Sequence, residues 1–288
     1  MWLADDWKEY ELIDTGDGEK LERWGTYILR RPDPQVIWPI KAETALWEKV
    51  HGHYHRSKSG GGSWEFFGQI PERWKISYNK LSFYVKPMGF KHTGLFPEQA
   101  VNWKRIIEKI QRSKRPVRVL NLFAYTGGAT VAAAFAGAEV CHVDAAKGMV
   151  AWAKENLALS GLGQRPVRFI VDDVLKFVQR EKRRGRQYEA IIMDPPSYGR
   201  GPGGEVWKIE DELYRLVKES TEVLSPEPLF FLINSYTTGF APTVLKNILA
   251  LTVGERYGGR ISTDEIGLPV SASGLVLPCG ATARWECN

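Results

Sequence analysis

The segment from Val117 to Asp144, VRVLNLFAYTGGATVAAAFAGAEVCHVD, restricts the possible folds more than any other part of the chain. Val117, Val119 and Leu122 mark a short apolar strand, and Ala124 to Gly128 a tight turn. Ala129 to Ala136 is alanine-rich and favours a helix, which Gly137 stops. Val140 to Val143 resume as a strand ending at Asp144. Strand, glycine turn, helix and strand with a terminal acid form half of a doubly wound α/β nucleotide site. The turn lacks a full GxGxxG, so it suits a ligand with ribose and no pyrophosphate better than a dinucleotide. S-adenosyl-L-methionine is the common ligand of that kind. A plain βαβ unit with an incidental Gly-Gly turn is the structural alternative.

Residues 188 to 198, YEAIIMDPPSY, carry a second signal. The apolar run Ala190 to Met193 leads straight into Asp194-Pro195-Pro196, with Tyr198 just beyond. Prolines cannot continue a central strand, so they hold a rigid extended turn where open α/β sheets bind ligands. Asp194 supplies an acceptor, the Pro195 carbonyl a second, and Tyr198 a ring able to stack on a base.

The rest of the chain fits this frame. Helices are expected over 98–112, 149–159, 175–186, 211–224 and 244–251, and strands over 167–171 and 229–233. Gly267 to Pro269 and Val276 to Trp285 read as closing strands with no helix between them. The expectation is an α/β fold with a doubly wound, mostly parallel seven-stranded sheet and an antiparallel edge hairpin. Residues 1–90 hold short apolar or alternating segments (Trp24–Leu29, Val36–Trp38, Trp64–Phe67, Trp74–Ser77, Leu81–Val85) between turn signals. They read as a small β-rich subdomain preceding a catalytic domain at 91–288. Ser59-Gly60-Gly61-Gly62-Ser63 reads as a flexible loop.

Asp-Pro-Pro with a following aromatic resembles motif IV of class I S-adenosylmethionine-dependent methyltransferases. NLFAYTGG resembles motif I of one branch, the bacterial 23S rRNA enzymes acting on cytosine C5 or guanine N7. Lys91 to Gln99, KHTGLFPEQ, is similar to that branch's lead-in to motif I. The resemblance covers roughly residues 80 to 286. It implies S-adenosyl-L-methionine as cofactor, with Ala124, Tyr125, Thr126, Gly127 and Gly128 around the methionine and ribose. Asp144, followed by Ala145, would take the ribose hydroxyls. Asp173 and Val174 would meet the adenine, with Asp172 the rival acid. Phe96 and Gln99 would lie near the cofactor, ordinary core packing being the alternative for Phe96. Asp194 would border both cofactor and substrate, with Pro195, Pro196 and Tyr198 completing the catalytic set.

The target atom can be narrowed. Cytosine C5 becomes nucleophilic only after a thiolate adds to C6. The cytosine branch keeps that cysteine after the fifth strand, where this chain reads Asn234-Ser235-Tyr236-Thr237. Its three cysteines, Cys141, Cys279 and Cys287, lie elsewhere. What remains is a ring or exocyclic nitrogen, or an oxygen, and a nitrogen target is expected over cysteine-assisted C5. RNA, an rRNA base, is the implied partner. A small-molecule or protein methyltransferase is the alternative, and a non-catalytic nucleotide-binding module the third reading.

A net charge of +5 permits an anionic partner. Basic clusters occur at Lys104-Arg105, Arg112 to Arg118 and Arg180 to Arg186, the last also readable as a solvated helix end. The odd cysteine count shows no disulfide or zinc spacing, in keeping with a reducing cytoplasm. The N-terminus reads as no signal peptide, and no run approaches the roughly 20 apolar residues of a membrane span. His51, His53 and His55 alternate without a neighbouring cysteine or carboxylate cluster. They read as exposed histidines beside a loop, so no metal is expected.

Overall fold

The computed structural model describes residues 1–40, 44–57, 61–200, 206–237 and 239–287. The chain divides into two units. One comprises residues 2–100 and 266–279; the other comprises residue 1 with 101–265 and 280–288. Residues 91–100 and 266–279 thus group with the N-terminal strands, which a single cut at residue 90 does not provide.

The first unit opens with β1 (Trp2–Leu3), β2 (Tyr10–Gly16), β3 (Glu19–Trp24) and β4 (Tyr27–Pro32). A short helix α1 (Thr44–Glu48) precedes β5 (Gly52–Arg56) and β6 (Gly62–Phe66). Strands β2 to β6 form a five-stranded sheet in sequence order, and β7 (Trp74–Tyr78) pairs with β8 (Leu81–Val85). The β-rich reading is right, with two local corrections. Val36 to Trp38 is no strand, and Gly62 and Ser63 belong to β6. Of the glycine-rich loop, Ser59 and Gly60 lie outside the described residues.

Trp24, Trp47 and Trp74 are buried, and Tyr10 meets Trp24 edge-on at 4.7 Å. These aromatics are core, as large apolar surfaces in a small β unit tend to be. Among them Glu22 is fully buried and accepts two bonds from Arg31, at 2.6 and 2.8 Å, and one from the Tyr10 hydroxyl. That guanidinium holds the Glu22 carboxyl down at about 2 despite its burial.

The second unit carries the alternating pattern: α2 (Ala100–Ser113), β9 (Arg118–Leu122), α3 (Gly128–Phe135), β10 (Glu139–Asp144), α4 (Lys147–Leu159) and β11 (Val167–Val171). It continues through α5 (Val174–Arg183), β12 (Ala190–Met193), the strands β13 (Tyr198–Arg200) and β14 (Val206–Lys208), α6 (Ile209–Thr221), β15 (Phe230–Ser235) and α7 (Pro242–Leu249). A five-residue π turn and a short helix follow. Then come the closing strands β16 (Arg260–Pro269) and β17 (Val276–Glu286), whose residues are shared between the two units.

The sheet order is β1-β16-β17-β15-β12-β9-β10-β11. Strands β9, β10, β11, β12 and β15 pair in parallel, and β17 runs antiparallel to β15. The expected seven strands are present, and two-residue β1 adds an eighth on Ile266–Gly267. The hairpin β13–β14 was not expected, because residues 198–208 carry only a weak strand pattern.

Period two along the strands separates the two faces. Leu120, Leu122, Ile191, Met193, Phe231, Ile233 and Trp285 join Phe177, Leu213, Leu216, Leu245 and Leu249 in one apolar cluster. Asn121, Asn234, Thr282 and Arg284 alternate with these residues and lie on the opposite face. All four are buried, so each polar group there needs a partner.

Candidate active site

Strand β9 has β10 on one side and β12 on the other, so the order in which strands are added reverses about it. Open α/β sheets bind ligands at the carboxyl ends of strands flanking such a switch point. Ala124 to Gly128, Asp144, Ala145, Asp173, Val174 and Asp194 all stand at the carboxyl ends of these neighbouring strands. Phe96 and Gln99 belong to the first unit, where Phe96 meets the His92 ring edge-on at 5.4 Å and accepts a backbone bond from Gln99.

The glycine turn is held from several sides. Phe123 and Tyr125 adopt positive φ angles of 53° and 50°, a conformation side-chain-bearing residues seldom take unsupported. The Asp144 carboxylate supplies support, its Oδ2 accepting from the Tyr125 N–H at 2.8 Å. Its Oδ1 accepts from the Ala146 N–H at 2.8 Å. Buried Asn156 donates to the Thr126 carbonyl. Below the turn Asn121 donates to the Thr130 hydroxyl, which is 2.9 Å from His142 Nδ1. Burial pushes the His142 imidazole down to about 3, so it is neutral.

The glycines owe their identity to packing as well as to any ligand. Gly127 has φ 86°, and a Cβ there would lie 2.8 Å from Ala153 Cβ in α4. A Cβ on Gly128 would lie 2.7 Å from the Trp103 ring in α2. They let α3 start tight against its neighbours, a reason the motif alone does not show.

Each Asp144 oxygen has capacity beyond its one backbone donor, since an ionised carboxylate can accept about four hydrogen bonds. Burial, the larger effect, outweighs the Ala146 and Tyr125 N–H donors and holds its carboxyl above the usual aspartate value of 3.8. Ribose hydroxyls donate best to the ionised form. S-adenosylmethionine affinity should therefore be full above the raised pKa and fall as pH drops through it. The decline should begin at a higher pH than an ordinary aspartate would give, with proton release on binding in that window. Calorimetry from pH 7.5 downward checks this, and affinity flat to about pH 4 would oppose it. For the unliganded fold the sign is reversed, because ionising an acid with a raised pKa costs stability.

Asp173 is the N-cap of α5, accepting from the Lys176 N–H at 2.8 Å. Its neighbour Asp172 pairs with Arg180. Both acids are therefore engaged, Asp172 by a side chain and Asp173 by the helix backbone. Buried Val174 begins the helix.

Past β12, Asp194 Oδ1 accepts from Asn234 Nδ2 at 3.0 Å. The Trp207 indole N–H donates to the Pro196 carbonyl at 2.6 Å, and its ring packs on Phe123 at 5.1 Å. Ser197 and Thr237 hydroxyls meet at 2.7 Å. Tyr198 opens β13 opposite Lys208 and is 53% exposed. Sequence reasoning missed Trp207 and Asn234 as parts of this site. A lone tryptophan between a glycine-rich stretch and a helix was the only available sign of the first.

Burial pushes the Cys141 thiol up to about 11 and the Cys279 thiol well above its ordinary value. Neither is a thiolate near neutral pH. Cys287 is exposed and lies beyond β17.

The histidine reading is corrected in part. His51 Nδ1 accepts from the Ile28 N–H. His53 and His55 lie in β5, within bonding distance of Glu19 (2.7 Å) and Glu65 (2.8 Å). The donor atoms of His53, His55 and Glu65 all lie within 4.8 Å of one another. Strand pairing brings in these carboxylates, which are distant in the sequence. The basic clusters are largely paired: Arg105 with Glu286, Arg112 with Glu108, Arg115 with Glu227, and Lys182 with Glu219.

A parallel sheet reversing at β9, with acids at successive strand ends and an antiparallel strand beside β15, defines a class I methyltransferase. Residues 27–248 match the S-adenosylmethionine-dependent methyltransferase family, and the chain belongs to that family. Its cofactor is S-adenosyl-L-methionine. The chain is similar to the SAM-dependent methyltransferase of Agrobacterium tumefaciens, with 36% identity, TM-score 0.95, and coverage of 100% of this chain and 93% of that one. A methyltransferase-like structure complexed with SAH shares the fold at 20% identity and TM-score 0.73, covering 97% of this chain and 76% of that one. Ribosomal RNA large subunit methyltransferase K of Neisseria meningitidis is 26% identical over 229 residues, 76% of this chain and 64% of that protein. The chain spans between 20% and 27% of the length of K/L proteins that it also matches, such as those of Shewanella frigidimarina and Chromohalobacter salexigens. No described helix is long and apolar enough to cross a membrane.

Proposed function

We propose that the protein transfers a methyl group from S-adenosylmethionine to a nitrogen of an RNA base, with an rRNA base the leading substrate. The observation that carries the reading is the carboxylate of Asp194, fixed by Asn234 beside the glycine turn with no cysteine following β12 or β15. The relatives named for ribosomal RNA support the substrate class. When bound, the cofactor supplies a methyl group on a sulfonium, the electrophile of an in-line displacement. Asp144 accepts from its ribose, and Asp173 with the α5 N-terminus meets its adenine. Asp194 and the Pro195 carbonyl accept N–H bonds from the base, orienting the nitrogen lone pair and receiving the proton it releases. Tyr198 stacks on the base, and Trp207 keeps the Pro196 carbonyl and the glycine turn in place. Phe66, Phe67 and Phe90 are 46%, 47% and 65% exposed and supply further rings for unpaired bases.

The test is incubation with labelled cofactor and unmodified 23S rRNA, followed by nucleoside mass spectrometry. An N-methylated nucleoside supports the reading. Label confined to protein or small molecules, or a C5-methylated cytidine, overturns it. A thiol-free variant carrying Cys141→Ala, Cys279→Ala and Cys287→Ser should keep turnover within about threefold, since none of these thiols is assigned to the chemistry. A covalent adduct with RNA containing 5-fluorocytosine would contradict that expectation.

A further inference from the structure

Behind Asp194 runs a buried chain of hydrogen bonds that crosses two strands and reaches a helix. Asn234 Nδ2 donates to Asp194 Oδ1 at 3.0 Å. The Thr282 hydroxyl donates to Asn234 Oδ1 at 2.5 Å. Asn102 Nδ2 donates to Thr282 Oγ1 at 3.1 Å. Asn102 Oδ1 accepts from Arg284 twice, at 2.8 Å from Nη2 and 3.2 Å from Nε. Asn102, Thr282 and Asn234 are 1%, 0% and 1% exposed, and Arg284 is 9% exposed. Strand register explains the alignment: Asn234 stands opposite Thr282, and Leu232 opposite Arg284, on β15 and β17.

Either end of an amide or a hydroxyl can usually face either way. Here the direction is set by one group. A guanidinium only donates, so Asn102 turns its oxygen to Arg284 and its NH2 to Thr282. Thr282, having accepted, must send its proton to Asn234. Asn234 therefore turns its NH2 to Asp194. Burial, the largest effect, and nearby Arg105 lower Arg284 to about 10, still well above neutrality, so it stays a donor.

We propose that Arg284, Asn102 and Thr282 are positioning residues that fix the Asn234 amide with its NH2 toward Asp194, so that Asp194 is held oriented as an acceptor for the substrate. The proposal rests on the role assigned to Asp194 above and adds what enforces it. None of Asn234, Thr282, Asn102 and Arg284 touches the substrate in this scheme.

The variant that tests direction rather than packing is Asn102→Asp. It keeps volume and pairs with Arg284, but its carboxylate accepts where Asn102 donated. Thr282 then donates to residue 102, Asn234 turns its NH2 to Thr282, and its oxygen faces Asp194. Single-turnover methylation of unmodified 23S rRNA should fall about 100-fold in Asn102→Asp. Thr282→Val should cost about 10-fold, and Thr282→Ser should restore the parent rate within about twofold. In all three variants the cofactor Kd and the RNA KM should stay within about twofold. A purely structural role would lower melting temperature and leave the rate per folded molecule unchanged, and that outcome overturns the proposal.

A second readout does not depend on the substrate. In 15N spectra the Asn234 side-chain amide protons should exchange slowly in the parent and in Thr282→Ser, and rapidly in Thr282→Val. Rapid exchange in the parent overturns the relay whatever the activity. If the parent methylates no RNA while the amide pattern holds, the reading of the substrate fails and the relay stands.

Discussion

Asp194→Ala should lower the single-turnover rate by about 10²-fold or more, through lost orientation and lost charge stabilisation. Cofactor affinity should move by no more than about twofold, because the ribose and adenine contacts are assigned to Asp144 and Asp173. The substitution also strands Asn234 Nδ2, which Asp194 now satisfies. An unmet buried donor costs about 1–3 kcal/mol of stability, so rates belong in protein verified to be folded. Asp194→Asn offers the sharper comparison, keeping size and one oxygen while losing the charge; its rate should stay closer to the alanine variant than to the parent. Tyr198→Ala should mainly weaken RNA binding, by about 1–3 kcal/mol if it stacks on one base, and Tyr198→Phe should be mild. Unchanged turnover in folded Asp194→Ala would remove the catalytic assignment.

Asp144→Ala should be damaging twice over. It removes the proposed acceptor for ribose and frees the backbone N–H groups of Tyr125 and Ala146. Tyr125 sits at φ 50°, and without that bond the turn has less to hold it there. Cofactor affinity should fall by about 10- to 100-fold, in line with about 1–3 kcal/mol per buried group left unpaired, and melting temperature should fall with it. Asp144→Asn separates the two roles. Its oxygen can keep one backbone bond, so stability should recover more than affinity. Calorimetry with thermal denaturation on both variants checks this, and parental affinity in Asp144→Ala would rule out the ribose contact.

The element order was readable because each signal is local. Alanine richness with a terminating glycine marks α3, apolar runs mark β9 to β12, and prolines mark the end of β12. The missing helix between the last strands marks the antiparallel edge. The acids at strand ends were readable for the same reason, since a residue's place along its own strand depends on its immediate neighbours. No strand was expected over residues 198–208 because glycines and a proline hid the short strands around Trp207. The histidines were misjudged because Glu19 and Glu65 reach them through strand pairing, which leaves no mark at His53 or His55.

Local sequence is therefore enough for the α/β class, the strand ends that carry Asp144, Asp173 and Asp194, and the absence of a cysteine after β12 and β15. Tertiary structure alone decides how those groups are held. It shows that Gly127 and Gly128 are glycines because Ala153 and Trp103 crowd them. It shows that Asp144 braces the turn it was assigned to complement. It also joins Asn102 to Asn234, Thr282 and Arg284 across up to 182 positions of sequence. Hydrogen bonds and steric contacts depend on atoms a few ångströms apart in space. The direction of such a chain is set by whichever member can only donate, and no local pattern around Asp194 names Arg284.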